Sequence, residues 1–95
     1  MLLEVVRRGG LMGIARRGAI DTAALGEAVA APADGAIRGL RFGAEPAAPQ
    51  HPDGFSYEIT VVEGDRRRTA RLDEAELPQE LRPVVSAALA RAGPS

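Results

Sequence analysis

A chain of 95 residues forms one small domain, because a second core could not be built from the residues that a first would leave over. Hydrophobic residues make up 45% of it, but 18 of them are alanine, so 25 larger side chains must supply a thin core. A formal net charge of -1 and the absence of cysteine argue against a nucleic-acid footprint, an anionic membrane partner, a disulfide framework and a zinc–thiolate site.

The amino-terminal residues alternate leucine and valine with Glu4 and do not have the pattern of a signal peptide. No apolar run approaches the length that spans a bilayer. We therefore expect residues 1–95 to form a single cytoplasmic domain.

The first 20 residues are typical of a β-hairpin. The segment from Leu2 to Arg8 alternates in polarity as a strand does, with Leu3 and Val5 on one face. A second strand with a weaker alternation is predicted from Ile14 to Ile20. The link at 9–13 contains three glycines, which favours an antiparallel connection.

The segment from Ala23 to Gly43 has a helical pattern that is interrupted by Pro32 and by two glycines. It predicts one or two short, imperfect helices, mainly from about Asp34 onward, with Asp21 and Thr22 as candidate helix caps upstream. The following stretch, Gly43 to Gly54, contains three prolines and is predicted to be a loop.

The second half of the chain predicts another hairpin and a helix. Phe55 to Val62 alternates apolar and polar residues, the turn Gly64-Asp65 follows, and Arg67 to Leu72 returns as a strand. After Pro78, apolar side chains from Leu81 to Ala92 repeat at helical spacing. The whole pattern predicts an α+β fold of order ββαββα: a four-stranded antiparallel sheet made of two hairpins, an imperfect central helix and a C-terminal amphipathic helix.

Reactive groups are scarce, with one histidine, one tyrosine, no cysteine and no lysine. His51 has no partner at a metal-ligand spacing, so a solvated loop histidine is favoured. The acidic residues Asp73, Glu74 and Glu76 are typical of the amino end of a helix. We expect no enzyme activity, no metal and no cofactor.

Four arginines, Arg66, Arg67, Arg68 and Arg71, lie along the last predicted strand. Neighbouring side chains of a strand point to opposite faces, and no aromatic residues interleave with these arginines for base stacking. A solvated face of the sheet is therefore favoured over a nucleic-acid patch.

Leu11 and Met12 occupy the tip of the first hairpin, where polar or turn-forming residues are usual. Two interpretations stay open. The two side chains fold back onto the sheet as a minor cluster, or they are presented to an apolar pocket of a partner.

The ordered set of these segments resembles the emfourin family over nearly the whole chain. The matching segments are Leu3 to Ile14, Ile20-Asp21-Thr22, Phe55 to Val61, Arg67 to Arg71 and Leu77 to Pro83. The family commonly has Phe and Ala where this chain has Leu11 and Met12, which is a conservative change for an apolar pocket.

The resemblance implies a bacterial, cytoplasmic inhibitor of a thermolysin-like (protealysin-like) zinc metallopeptidase, which blocks the active-site cleft by loop insertion. Leu11 would enter the bulky apolar pocket beside the scissile bond. The predicted protease-binding residues are Gly9, Gly10, Leu11, Met12 and Gly13. A secondary binding loop is predicted at Gln50, His51 and Asp53.

An alternative interpretation is a non-catalytic protein-binding module of the same fold with a different target, including a stress-response partner or a second copy of the same chain. An adjacent gene for a thermolysin-like peptidase would favour the inhibitor, and its absence would favour the alternative.

Overall fold

The computed structural model describes residues 1–9, 15–43 and 54–91. One antiparallel sheet has the strand order β2-β1-β3-β4, with strands β1 (Leu2–Gly9), β2 (Arg16–Asp21), β3 (Phe55–Glu63) and β4 (Arg66–Asp73). The helices of the described chain are α1 (Glu27–Arg38) and α2 (Arg82–Arg91), with short 3₁₀ turns at Thr22–Leu25, Glu74–Glu76 and Gln79–Leu81. The predicted α+β fold and its ββαββα order are confirmed.

The helices cover one face of the sheet, which we call the helix face. The hydrophobic core lies between the helices and this face. Successive side chains of a strand alternate between faces, so the buried residues of β1 and β3 fall at every second position. The edge strands β2 and β4 each bury one residue, Ile20 and Ala70. The buried sheet residues are Leu3, Val5, Ile20, Tyr57, Ile59, Val61 and Ala70. The helices and the turn before α2 contribute Ala33, Ile37, Leu81, Val84, Val85, Ala88 and Leu89.

The central helix differs from the predicted one. α1 is a single helix of 12 residues that begins at Glu27, so the expectation of a start near Asp34 is wrong. Pro32 lies inside it, where a proline costs about 3 kcal/mol because it lacks an N–H group and meets the preceding turn. Ala33 and Ile37 are almost completely buried against the core. Tertiary packing of this face therefore offsets the local penalty.

Asp21 is a cap, as predicted, but it caps the 3₁₀ turn Thr22–Leu25 and not α1. Its carboxylate accepts a hydrogen bond from the Ala23 backbone N–H at 3.0 Å and pairs with the N-terminal ammonium of Met1 at 3.1 Å. The Ala23 hydrogen bond, and then the ammonium, hold the pKa of Asp21 below its ordinary value. These contacts close the end of β2 against the start of β1.

The C-terminal helix begins later than the sequence suggests. Pro78 precedes the 3₁₀ turn Gln79–Leu81, and α2 starts only at Arg82. Upstream, Asp73 and Glu76 form a capping box around the 3₁₀ turn Glu74–Glu76. The Asp73 N–H donates to Glu76 Oε1 at 3.1 Å. The acidic residues thus cap a turn next to β4 and do not cap α2.

Position 18 in β2 requires glycine, because the backbone of α2 occupies the space that a side chain would need. A Cβ atom built on Gly18 would lie 2.0 Å from the carbonyl oxygen of Ala88 in α2. The two backbones are therefore in direct contact, and the weak alternation of β2 follows from this approach. β2 begins at Arg16, and the predicted start at Ile14 lies outside the described residues.

Candidate functional site: the loop end of the sheet

Both predicted binding segments are flanked by residues that meet at one end of the sheet, which we call the loop end. β1 ends there at Gly9, β2 begins at Arg16, and β3 begins at Phe55. Gly9 is the register partner of Phe55. The loop end is therefore the base of the segment 10–14 and of the carboxyl end of the segment 44–53. The other end of the segment 44–53 follows Gly43, whose N–H donates to the Thr69 carbonyl in β4.

The predicted site residues themselves are described only in part. Gly9 belongs to β1, whereas Gly10, Leu11, Met12 and Gly13 lie outside the described residues. The same is true of Gln50, His51 and Asp53. The assignment of these residues to a binding surface stays a prediction, and the geometry of their flanks can be stated.

Position 9, at the base of the first segment, requires glycine for two independent reasons. Its φ of 113° lies in the region that side chains disfavour and glycine tolerates. A Cβ atom at this position would also lie 2.4 Å from the carbonyl oxygen of Gly54. Both the conformation and the close backbone approach require glycine, so the ends of the two loops are held against each other.

The first hairpin is paired along its whole length up to this base. β1 and β2 are in register from Leu2 opposite Asp21 to Arg7 opposite Arg16. On its other side, β1 pairs with β3 as far as Gly9. The strand that carries the predicted loop is therefore a central strand, supported on both sides.

Four arginines surround this base, and we call Arg7, Arg8, Arg16 and Arg17 the arginine collar. Arg7 and Arg16 are direct cross-strand partners on the helix face. Arg8 and Arg17 belong to the opposite face, which we call the open face, because each is one residue further along its strand. The collar thus has two side chains on each face of the hairpin.

Two members of the collar have defined contacts. The guanidinium carbon of Arg7 lies 4.4 Å from the centre of the Phe55 ring, a cation–π contact. Arg8 Nη1 lies 3.5 Å from Glu58 Oε2. Among the described residues, no carboxylate oxygen comes within 4.0 Å of the charged groups of Arg7, Arg16 or Arg17. The described part of the loop end therefore carries excess positive charge on its β1–β2 side.

The arginines of β4 are arranged differently. Arg67 forms a short ion pair with Glu4 across β3, and Arg68 Nη2 lies 3.5 Å from Glu63 Oε1. Arg68 also lies over the ring of Phe42, 4.6 Å from its centre. Arg66, Arg67, Arg68 and Arg71 are all exposed, as expected for a solvated face of the sheet.

The described residues hold no group of three or more His, Cys, Asp or Glu side chains that could bind a metal ion. A cleft of about 480 Å³ lies between the end of α1, β4 and Pro78. Its charged lining residues are Arg41, Arg71, Glu76 and Glu80. No helix within the described ranges is long and apolar enough to cross a membrane.

Fold and loop end together define a small α+β domain whose sheet end is anchored through its backbone and carries arginines on its β1–β2 side. The chain belongs to the Emfourin family, whose sequence model matches residues 5–89. The resemblance predicted from the sequence is thereby confirmed, and the family implies a function of the protease-inhibitor type. Members of this family are inhibitors and not enzymes. Searches of curated proteins and of solved structures gave no significant match.

The arginine collar is the feature of the site that the sequence analysis missed. The available signal was the pair Arg7-Arg8 before the glycine-rich link and the pair Arg16-Arg17 after it. Their convergence depends on the register of β1 and β2, which places Arg7 opposite Arg16. Without that register, the sequence shows only two pairs of adjacent arginines and does not indicate that the pairs lie next to each other.

Proposed function

We propose that this chain inhibits a thermolysin-like zinc metallopeptidase of the protealysin type in the bacterial cytoplasm. In this proposal the segment Gly9 to Gly13 enters the active-site cleft and Leu11 fills the apolar pocket beside the scissile bond. The observation that carries the proposal is the family match over residues 5–89. Enzymes of this class hold zinc through a His-Glu-x-x-His helix and keep one coordination position open for water and substrate.

The anchored loop end supports insertion because it lowers the cost of binding. A loop that is already ordered at its base loses less conformational entropy when it docks. Gly9 packs against the Gly54 backbone, and the hairpin is paired up to Arg7 and Arg16. Such a base also resists the backbone movement that would bring a peptide bond of the inserted segment into the geometry for attack by water. The segment therefore blocks the cleft without being cleaved.

Leu11 alone does not account for a tight inhibitor. Burial of one leucine side chain contributes roughly 1.5 to 3 kcal/mol, whereas a nanomolar complex requires about 12 kcal/mol. The remaining free energy has to come from a wider contact surface. The segment with Gln50, His51 and Asp53 is the second surface we propose, because it rejoins the sheet at Gly54, beside Gly9.

The direct test is inhibition of a protealysin-like and a thermolysin-like peptidase by the wild-type chain, Leu11→Ala and Leu11→Asp. We expect Leu11→Ala to raise the inhibition constant about 10- to 100-fold, in line with loss of the pocket contact, and Leu11→Asp to raise it further. The matched control is Leu2→Ala, because Leu2 is 39% exposed at the far end of β1. Its inhibition constant should equal that of the wild type.

Unchanged inhibition constants for both Leu11 variants would remove Leu11 from the contact surface. A wild-type chain that inhibits neither peptidase would reject the proposed function and favour a binding module with a different target.

A further inference from the structure

We propose that the arginine collar is an electrostatic docking surface for an acidic rim beside the active-site cleft of the target peptidase. This inference rests on the proposed function and specifies the chemistry of the partner. The collar consists of described residues only, and its argument does not depend on which residue of the segment 10–13 enters the cleft.

The four guanidinium groups act together on an approaching protein. Directly opposite residues of an antiparallel pair have Cβ atoms about 4.5–5.5 Å apart, and Arg7 faces Arg16 in this way. The Debye length at physiological ionic strength is about 8 Å, so charges on neighbouring side chains of one hairpin end add to the field that an approaching protein meets. A cluster of one sign accelerates the encounter with a surface of the opposite sign.

The pairing of Arg7 with Arg16 works against stability. Like charges directly opposite each other in a sheet are destabilising, and the same chain neutralises arginines elsewhere, with Glu4 beside Arg67 and Glu63 beside Arg68. At the loop end the described counter-ion is Glu58, which pairs with Arg8. A binding partner that supplies carboxylates would relieve this repulsion.

Chain length places the partner within reach of the collar. Each residue spans at most about 3.6 Å of extended chain, and every residue of the segment 10–13 is at most three residues from Gly9 or from Arg16 along the chain. A partner that receives any residue of this segment therefore comes close to the collar. Arg7 is held in position for this contact by the Phe55 ring, 4.4 Å from its guanidinium carbon.

The loop end is also polarised across the sheet. The collar occupies the β1–β2 side, whereas Asp73 and the acidic turn Glu74–Glu76 follow the end of β4 on the other side. β3 lies between β1 and β4, with Ser56 opposite Asp73. This arrangement orients the partner, since its acidic rim is attracted to the first hairpin and repelled by the end of β4.

The test measures association and dissociation rates of the full chain with a catalytically inactive variant of a protealysin-like peptidase, whose cleft is empty, at several ionic strengths. The variant Arg16→Gln/Arg17→Gln removes half of the collar without touching the Phe55 contact. The matched control is Arg66→Gln, an exposed arginine at the opposite end of the sheet. We expect the double variant to lower the association rate about three- to tenfold at low salt and to change the dissociation rate less than about twofold. The control should retain the wild-type rates.

Each outcome decides the proposal. Loss of the salt dependence in the double variant, with Arg66→Gln unchanged, supports the collar. Inhibition whose association rate is independent of salt in all chains overturns the collar and leaves the proposed function intact. A wild-type chain that does not inhibit overturns both. A short fluorescent DNA duplex tests the other possible partner of the collar. If the duplex binds in a salt-sensitive way, the double variant abolishes this binding, and association with the peptidase is independent of salt, the collar binds nucleic acid and the proposal is overturned.

Discussion

The two hairpins of this protein end in opposite ways. The second hairpin closes tightly: Glu63 pairs with Arg66 across the two-residue turn Gly64-Asp65. The first hairpin is paired only to Arg7 opposite Arg16, and a longer connection joins these residues. A tight turn minimises the surface available to a partner, whereas a longer connection on a paired base presents one.

The charges follow the same division. Two arginines near the tight turn are paired within the chain, Arg67 with Glu4 and Arg68 with Glu63. At the loop end, the described carboxylate within ion-pair distance of the collar is Glu58, beside Arg8. Among the described residues, two of the three arginines next to the tight turn are therefore paired, against one of the four in the collar.

Support from the helices differs as well. α2 packs on β2 and β1, so close to Gly18 that no side chain fits there. The proposed binding hairpin therefore rests on a rigid backbone contact. The glycine of the second hairpin, Gly64, has open space around its Cβ position, and its φ of 59° is the reason for its presence.

Replacement of these two glycines should give the largest contrast in stability. We expect Gly18→Ala to lower the free energy of unfolding by about 3 kcal/mol, because two backbones would have to separate. Gly64→Ala should lower it by about 1 kcal/mol, the penalty of a left-handed conformation for alanine. Urea unfolding of both variants measures the difference.

Gly64→Asn serves as the control for the second hairpin, since asparagine tolerates the left-handed region better than alanine. It should recover part of the stability that Gly64→Ala loses. Equal destabilisation by Gly18→Ala and Gly64→Ala would show that the contact between β2 and α2 is not tight.

Neutralisation of single arginines should have a smaller effect, of opposite sign at the two ends. Arg67→Gln removes the ion pair with Glu4 and should lower the free energy of unfolding by up to about 1 kcal/mol, as for exposed pairs in general. Arg16→Gln removes a like-charge partner of Arg7 and should raise it by a few tenths of a kcal/mol, roughly. Urea unfolding at low ionic strength measures both changes. A loss of stability in Arg16→Gln would contradict the expected repulsion between Arg7 and Arg16.

The strands could be predicted because their pattern is local. Phe55, Tyr57, Ile59 and Val61 alternate with polar residues, and period two alone assigns them to one face. The start of α1 could not be predicted, because Pro32 disfavours the helix locally and the burial of Ile37 that compensates for it is a tertiary effect.

The features of the candidate site also differ in how far the local sequence pattern predicts them. The glycine-rich link between two strands was visible in the sequence, and the family to which it points is confirmed. The contact of Gly9 with Gly54 and the convergence of Arg7 with Arg16 depend on strand order and register, which the local pattern does not specify. The assignment of Gly10, Leu11, Met12 and Gly13 to the peptidase contact stays a prediction.

The central claim, that the loop end is the binding end, is tested most directly by NMR mapping. Isotopically labelled chain is titrated with a catalytically inactive variant of a protealysin-like peptidase, whose cleft is empty, and changes in the backbone amide signals are recorded. We predict the largest changes at Gly9, at Arg16-Arg17 and at Phe55, with Glu63 to Arg66 unchanged. Changes concentrated at Glu63 to Arg66, with the loop end unaffected, would contradict the account.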